Sequence, residues 1–532
     1  MTRAVAVPAE GRSKRRRPAA ARGVSGAPAF DGRAALALAA IVLAGLALRL
    51  FAWKSQPYVT VDGTEYVRFA EALLNHHGFV SIFPPGYPLL IAAMRLVVLD
   101  RVASAALVSL VCGVALPPVT WWLGRRALGA RWGLLPAALV ALHPELARFS
   151  TLTMSESAYL LVLYAALALA AGGRALGAGL GIGAAFAIRP EALLPAAALA
   201  VGDAWRARRA TWRPLAAFAA GFLVLAIPCW LWFHATLGVW TPTPKLGAVR
   251  AAVTDWRSEE RRLRPGVTPV PPHATLADAA RELPHALAGA PANALVHGRS
   301  LLALWPLPLL LLSLAGLVRR RGLEAVPLLH LLALPLLGLS GQPRFVLSAL
   351  PALAILATLP LARAAGRMRA AGWALAAAGV VWLALAQGPV LAKPFEGWLD
   401  SHQHAGEWLA GASDPGDPVM DRKPYVAFYA QRPYRVMPDT SYDAILSFAV
   451  TSGVRWLVVD QRITEIYRRQ LEPLLYDPAF RDRERRVELA YVGGREIGFG
   501  IGIFRVLRPG EAKSGRPPVV RAAWLTGGGG AP

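Results

Sequence analysis

Cysteine, acidic charge and nucleotide-binding motifs are what this chain of 532 residues has little of. Its two cysteines, Cys112 and Cys229, both lie inside apolar runs, which excludes a disulfide framework and a metal knuckle. Charged residues make up 17% of the sequence, against about 25% in an ordinary soluble protein. Asp and Glu number 33 against 57 Lys and Arg, for a net charge of +24. The basic excess forms no stripe with interleaved aromatics, so nucleic acid is not an expected partner. No Walker motif, G-x-S-x-G or H-E-x-x-H occurs, and nucleotide hydrolysis and the common hydrolase and zinc-protease mechanisms lack support. No internal repeat is evident, which counts against a transporter built from inverted halves.

What the chain has is apolar length. Hydrophobic residues are 55% of it, and apolar runs recur from residue 34 to about 392, many near the roughly 20 residues that cross a bilayer. The fold class expected is an α-helical polytopic membrane protein. The basic segment GRSKRRRP (11–18) precedes an apolar run too long for a cleaved signal peptide and without a cleavage site. That run, about 34–53, reads as a retained first helix with its basic end in the cytoplasm.

Basic loops then set the threading. GRRALGARWG (124–133) is expected inside, with 102–123 as the returning span and PGYPLLIAAMRLVV (86–99) lying on the surface or partly inserted. Further crossings are expected at 132–148, 157–172, 175–189, 192–204 and 214–237, then a long polar loop at 240–298. Helices near 299–318, 323–340, 345–362 and 370–392 follow, giving about eleven with the N-terminus inside. The chain divides into a disordered basic cytoplasmic tail (1–33), a transmembrane domain (34–392), a small extracytoplasmic α/β domain (393–508) and a disordered tail (509–532). The α/β reading rests on the strand-like runs VRWLVVD (454–460) and FGIGIFRVL (499–507) and the helical DAILSFAVTSG (443–453).

The threading puts Asp62, Glu65, Glu156, Arg189, Glu191, Lys245 and Arg344 at outer helix ends or in outer loops. Basic groups on the outer face oppose the orientation bias and become candidates for function. Acids beside a bilayer can deprotonate or orient a hydroxyl, and cations can hold a phosphate leaving group. The same residues have architectural readings. Asp62-Gly63-Thr64-Glu65 fits a D-x-x-E capping box for a helix at 63–75. Glu156 sits in a helix's first turn, where the dipole favours a carboxylate. Arg189 and Glu191 flank a proline and could simply pair, Lys245 stands alone in a polar loop, and Arg344 could anchor the apolar run that follows. His76-His77 faces two ways on a helix and holds no metal unless Asp62 and Glu156 converge on it. His402 and His404 are expected at the surface.

The order of VDGTEYVRFAEALLNHHG, FPPGYPLL, HPELARFSTLTMSES, AIRPEALLP and QPRFVLSALPALAIL resembles the GT-C superfamily of lipid-linked glycosyltransferases. The nearest branch is that of protein O-mannosyltransferases and aminoarabinose transferases, and the resemblance covers roughly residues 34–392 with the small outer domain. It implies that the first-loop acid, Asp62, is catalytic or orients the acceptor, with Glu65 and Glu156 as further acids. It also implies that Arg189, Lys245 and Arg344 bind the lipid phosphate. Glu191, Tyr66 and Tyr87, from the same segments, join the substrate-binding candidates. The first loop of that family often has a paired Asp-Glu, whereas here Gly63 follows Asp62.

The expected activity is transfer of a hexose or pentose, mannose above all, from a polyprenyl-phosphate donor to an acceptor hydroxyl. The acceptor would be a periplasmic protein, lipid or glycan, and the site a bacterial inner membrane. No cofactor is required by any motif, and a divalent metal is left open. The alternatives are a non-enzymatic lipid-linked sugar transporter or envelope export subunit, and a polysaccharide polymerase or ligase.

Overall fold

A computed structural model describes residues 32–521, apart from 57, 80, 82, 208–211, 239, 244–275, 320–321, 338–341, 368–373, 375–376, 382–384, 386–388, 439 and 495–499. Lys245 and most of the expected helix at 370–392 lie outside the described residues. The first helix, α1 (Gly32–Lys54), agrees with the sequence reading. It is followed by α2 (Val61–Leu74), α3 (Gly86–Arg95) and the long α4 (Arg101–Trp132). α3 has ten residues, too few to cross a bilayer, as the reading of 86–99 required.

Then come α5 (Leu134–Leu142), α6 (Pro144–Phe149), α7 (Glu156–Ala171), α8 (Ala175–Ile188), α9 (Leu193–Ala207) and α10 (Arg213–Leu237). The last helices of this part are α11 (Leu276–Leu304), α12 (Leu307–Arg319) and α13 (Leu350–Arg367). Among the described residues four helical segments are long and apolar enough to cross a membrane, 32–54, 101–132, 213–237 and 343–365. A fifth arises if the bent pair 286–304 and 307–318 is one span. The other apolar helices run 10–17 residues, so the expected eleven are not eleven full-length spans.

Several boundaries differ from expectation. Residues 124–132, expected as a loop, continue α4 past a kink at Gly129. The crossing expected at 132–148 is two short helices, α5 and α6, broken at His143 before Pro144. The loop expected at 240–298 gives way to helix from Leu276. The single helix expected at 299–318 is two, bent by 105° at Trp305-Pro306, where proline removes an intrahelical donor. Trp305 seals the bend, its indole N–H donating to Ser313 Oγ at 3.1 Å. The helix expected at 323–340 is a run of short turns, Leu323–Leu328, Leu329–Ala333 and Leu334–Leu337, with Pro327 and Pro335 in the first and last.

α8 is rich in glycine because it is squeezed from one side by α10. A methyl at Gly179 would collide with the Phe218 carbonyl, and one at Gly183 would sit 2.8 Å from the Phe222 carbonyl oxygen. Small residues let helix backbones approach this closely in a bilayer, where packing rather than the hydrophobic effect holds helices together.

The C-terminal domain carries a six-stranded sheet in the order β2-β1-β3-β5-β4-β6. The strands are β1 (Val419–Asp421), β2 (Tyr434–Val436), β3 (Trp456–Asp460), β4 (Val487–Gly493), β5 (Ile501–Val506) and β6 (Val519–Val520). Its helices are α14 (Asp400–Ala412), α15 (Tyr425–Ala430) and α16 (Tyr442–Thr451). β3 alternates as a strand buried on both faces must: Leu457 and Val459 pack toward α16, Val458 toward α14 and α15. Strands β3 and β5 and helix α16 fall where the sequence placed them. The sheet does not stop at 508, because β6 pairs with β4 through Tyr491 and Val519, so residues 509–521 belong to the domain rather than to a disordered tail.

The domain is seated directly on the membrane part. Tyr58 Oη donates to Asp400 Oδ1 at 2.8 Å, the Val59 N–H to Tyr429 Oη at 2.9 Å, and Arg101 Nη2 to the Phe428 carbonyl at 2.7 Å. A cavity is left between the two.

Candidate active site

Thr60, Val61 and Asp62 form the floor of that cavity. α2 begins at Val61, and its cap is Thr60, whose hydroxyl accepts from the Gly63 N–H at 3.1 Å. The expected D-x-x-E box is therefore not formed. Asp62 lies in the first turn with its carboxylate directed elsewhere, and Glu65, one turn on, faces Arg68 at 3.6 Å. A side chain at Gly63 would collide with Thr153 and with the Thr60 cap, so no acid fits directly after Asp62.

Asp62 Oδ2 receives Arg344 Nη1 at 2.7 Å, across 282 residues of sequence. Arg344 opens the turn Pro343–Ala349, and its Nε is buried without a partner. Asp62 and Arg344 both line the cavity, which has a volume of about 280 Å³. Burial pushes the Glu65 carboxyl up, against the charges of Arg68 and Lys423 that lower it, and Glu65 does not line the cavity.

Behind Arg344 lies a second group, in a narrow cleft that Arg344 also lines. Arg189 Nη1 donates to Glu156 Oε1 at 2.8 Å and to Ser155 Oγ at 3.3 Å, and Arg189 Nη2 to Glu191 Oε1 at 3.0 Å. The three expected residues thus come together as one buried network with the guanidinium at its centre. Breaking a buried pair by removing one partner is far more costly than the pair is worth. Tyr66 hydrogen-bonds Ser155 Oγ at 3.1 Å, and Tyr87 hydrogen-bonds Ser109 Oγ at 2.8 Å while its ring stands edge-on to Tyr66 at 4.9 Å. Both tyrosines are buried supports beneath the floor and do not line the cavity.

The opposite wall was not foreseen, and it comes from the C-terminal domain. Glu396, Trp398, Asp421, Tyr425, Asp460 and Arg462 line it, together with Arg422, Lys423 and Tyr467. Glu396 Oε2 accepts the Val61 N–H at 3.1 Å, at the positive end of α2. Burial outweighs that contact and pushes the Glu396 carboxyl up to about 7. Burial likewise lifts Asp421 to about 7. His402, expected at the surface, is 1% exposed and bonded to Asp460 Oδ2 at 2.8 Å. Burial alone would lower its imidazole, but the hydrogen bond and charge of Asp460 hold it above its ordinary value. A signal for this wall was present in VMDRK (419–423) and VVDQR (458–462), two strands that each end in Asp with a cation one or two residues on.

Among the described residues no three His, Cys, Asp or Glu side chains converge to hold a metal ion. Asp62 and Glu156 each face their own arginine, and His76 and His77 are exposed at the end of α2. The described acids are thus held by arginines rather than gathered for a divalent ion.

No protein-family model and no curated relative matches the chain. Solved structures do. The Archaeoglobus fulgidus oligosaccharyltransferase in its apo form is similar with a TM-score of 0.55 at 14% identity, over 81% of this chain and 70% of that one. The same enzyme tethered with an acceptor peptide containing the NVT sequon is similar with a TM-score of 0.51 at 13% identity, over 89% and 74%. ArnT from Cupriavidus metallidurans bound to undecaprenyl phosphate aligns over 89% of this chain and 98% of that one, at 13% identity and a TM-score of 0.44. At such identities the likeness to the oligosaccharyltransferase is one of fold. The chain is an α-helical polytopic membrane protein with a GT-C-like fold, that of the oligosaccharyltransferase.

Proposed function

We infer that the protein is a membrane glycosyltransferase that moves a sugar from a polyprenyl-phosphate donor to an acceptor hydroxyl. The observation that carries this reading is the Asp62–Arg344 pair at 2.7 Å on the floor of a cavity in a GT-C fold. It joins the two groups the reaction needs, an acceptor for a hydroxyl proton and a cation for a phosphate.

The acceptor oxygen attacks the anomeric carbon from the side opposite the phosphate, so the configuration inverts. Asp62 orients the hydroxyl and takes its proton as the new C–O bond forms. The bond from the anomeric carbon to the phosphate oxygen breaks, and its electron pair leaves with polyprenyl phosphate. Arg344 holds that oxygen, its buried Nε supplying a donor beyond the one engaged by Asp62. Arg189, with its donors on Glu156, Glu191 and Ser155, positions Arg344 from behind rather than meeting the phosphate first. Lys245 is a further phosphate ligand carried over from the family resemblance. The cavity faces the periplasm of a bacterial inner membrane, with the N-terminus in the cytoplasm. The sugar is a mannose-like hexose or a pentose.

The test is release of free polyprenyl phosphate from a polyprenyl-phosphate sugar by the purified protein. Asp62→Asn is expected to lower transfer by about a hundredfold or more while leaving insertion and thermal unfolding unchanged. Transfer at near wild-type rate by that variant would remove Asp62 from the reaction.

A further inference from the structure

On the C-terminal-domain wall of the cavity, Asp421 Oδ2 and the Tyr425 hydroxyl are buried without a hydrogen-bond partner among the described residues. Asp421 ends β1 and Asp460 ends β3. These strands are adjacent and parallel, with Met420 against Leu457, so both carboxyl groups leave the sheet at one edge. The carboxyl ends of parallel strands are where open α/β sheets receive ligands. Asp460 is bonded to His402. Asp421 Oδ1 accepts the Lys423 N–H at 3.4 Å, and its Oδ2 has no hydrogen-bond partner among the described residues. The Tyr425 hydroxyl, at the start of α15, also has none. Both residues are 1% exposed, and both line the cavity. Buried polar groups are nearly always paired, and two orphans on one wall mark a place where a ligand supplies the partners.

The surroundings select the ligand's chemistry. Four acids, Asp62, Glu396, Asp421 and Asp460, and four cations, Arg344, Arg422, Lys423 and Arg462, line the cavity, so its balance of charge selects neither an anion nor a cation at this wall. An apolar chain would leave both orphans unmet. A neutral polyol satisfies all of these conditions, donating one hydroxyl to Asp421 Oδ2 and exchanging a hydrogen bond with Tyr425 Oη. Trp398, edge-on to Tyr425 at 5.3 Å and also on the cavity, presents an apolar ring surface for the C–H face of a pyranose. The volume of about 280 Å³ lies at the small end of the roughly 300–1,000 Å³ typical of small-molecule pockets, room for one ring rather than a long glycan.

We propose that Asp421 and Tyr425 form the subsite for the single transferred sugar, whose ring spans from the phosphate at Arg344 to the C-terminal domain. This rests on the transferase reading above. Asp421→Asn and Tyr425→Phe each remove one of the groups with little change of shape, and Tyr425→Phe also removes a buried unpaired hydroxyl, so its fold is kept. The full chain in detergent is titrated with polyprenyl phosphate alone and with polyprenyl phosphate carrying mannose, glucose or arabinose. Each variant is expected to bind the preferred sugar-bearing lipid about tenfold more weakly and the bare lipid phosphate as wild type does. Equal loss on both lipids, or no loss on either by the folded variants, overturns the subsite. If the wild type binds no lipid, the transferase reading fails by itself. Saturable binding of a free methyl glycoside, lost in the variants, would then still support the sugar subsite, and its absence would overturn that too.

Discussion

Glu396 and Asp421 carry carboxyl groups that burial lifts to about 7, from ordinary values of 4.5 and 3.8. A folded state that holds protons the unfolded chain has lost is favoured at low pH. Stability contributed by these groups is therefore full below about pH 4 and falls as pH rises toward 7. Thermal unfolding in detergent between pH 4 and 8 should show that decline, and Glu396→Gln or Asp421→Asn should each flatten it. A melting temperature that rises across the window in wild type would mean that neither acid is held protonated by the fold.

At the scale of elements, two short segments decide where the chemistry can sit. The Thr60 cap sets the start of α2, which points Asp62 at Arg344, and Gly63 lets the helix lie against Thr153. On the membrane side, α8 lies under Arg189, and its glycines are not equivalent. A methyl at Gly177 would make ordinary contact with Leu169 at 3.4 Å, whereas at Gly183 it meets the Phe222 carbonyl. Gly183→Ala should cost about 1–3 kcal/mol through overpacking, read as a lower melting temperature. Gly177→Ala should be neutral or stabilising, since alanine is the better helix former. Equal effects at the two positions would show that helix propensity, not the fit to α10, governs α8.

The whole molecule is a membrane part and a soluble domain that share one cavity, so the seat between them matters as much as either. Arg101 donates to the Phe428 carbonyl at 2.7 Å and stacks over the Phe428 ring at 4.2 Å, while Tyr58 holds Asp400 at 2.8 Å. Loosening this seat moves Asp421 and Glu396 away from Asp62 without touching any of them. Tyr58→Phe combined with Arg101→Ala should speed proteolytic release of the C-terminal domain. It should also lower transfer by roughly a hundredfold for a shift of about 1 Å. Unchanged transfer with faster proteolysis would mean that the membrane part works alone.

The sequence by itself determined the membrane class, the first helix and the strands β3 and β5, because each is legible over a short stretch. Bilayer crossing depends on a local run of apolar residues, and strand alternation repeats every two residues. Helix breaks at Pro306 and the short turns after Leu323 were harder to place, since a proline in an apolar run can kink, end or be tolerated depending on its neighbours. Only the tertiary structure decided that Asp62 faces Arg344 instead of capping its own helix, and that Arg189, Glu156 and Glu191 form one network. It alone brought Glu396, Asp421 and Tyr425 over the first loop. Ion pairing and cavity formation depend on where distant residues are brought by packing, and no local pattern of hydropathy or charge encodes that distance.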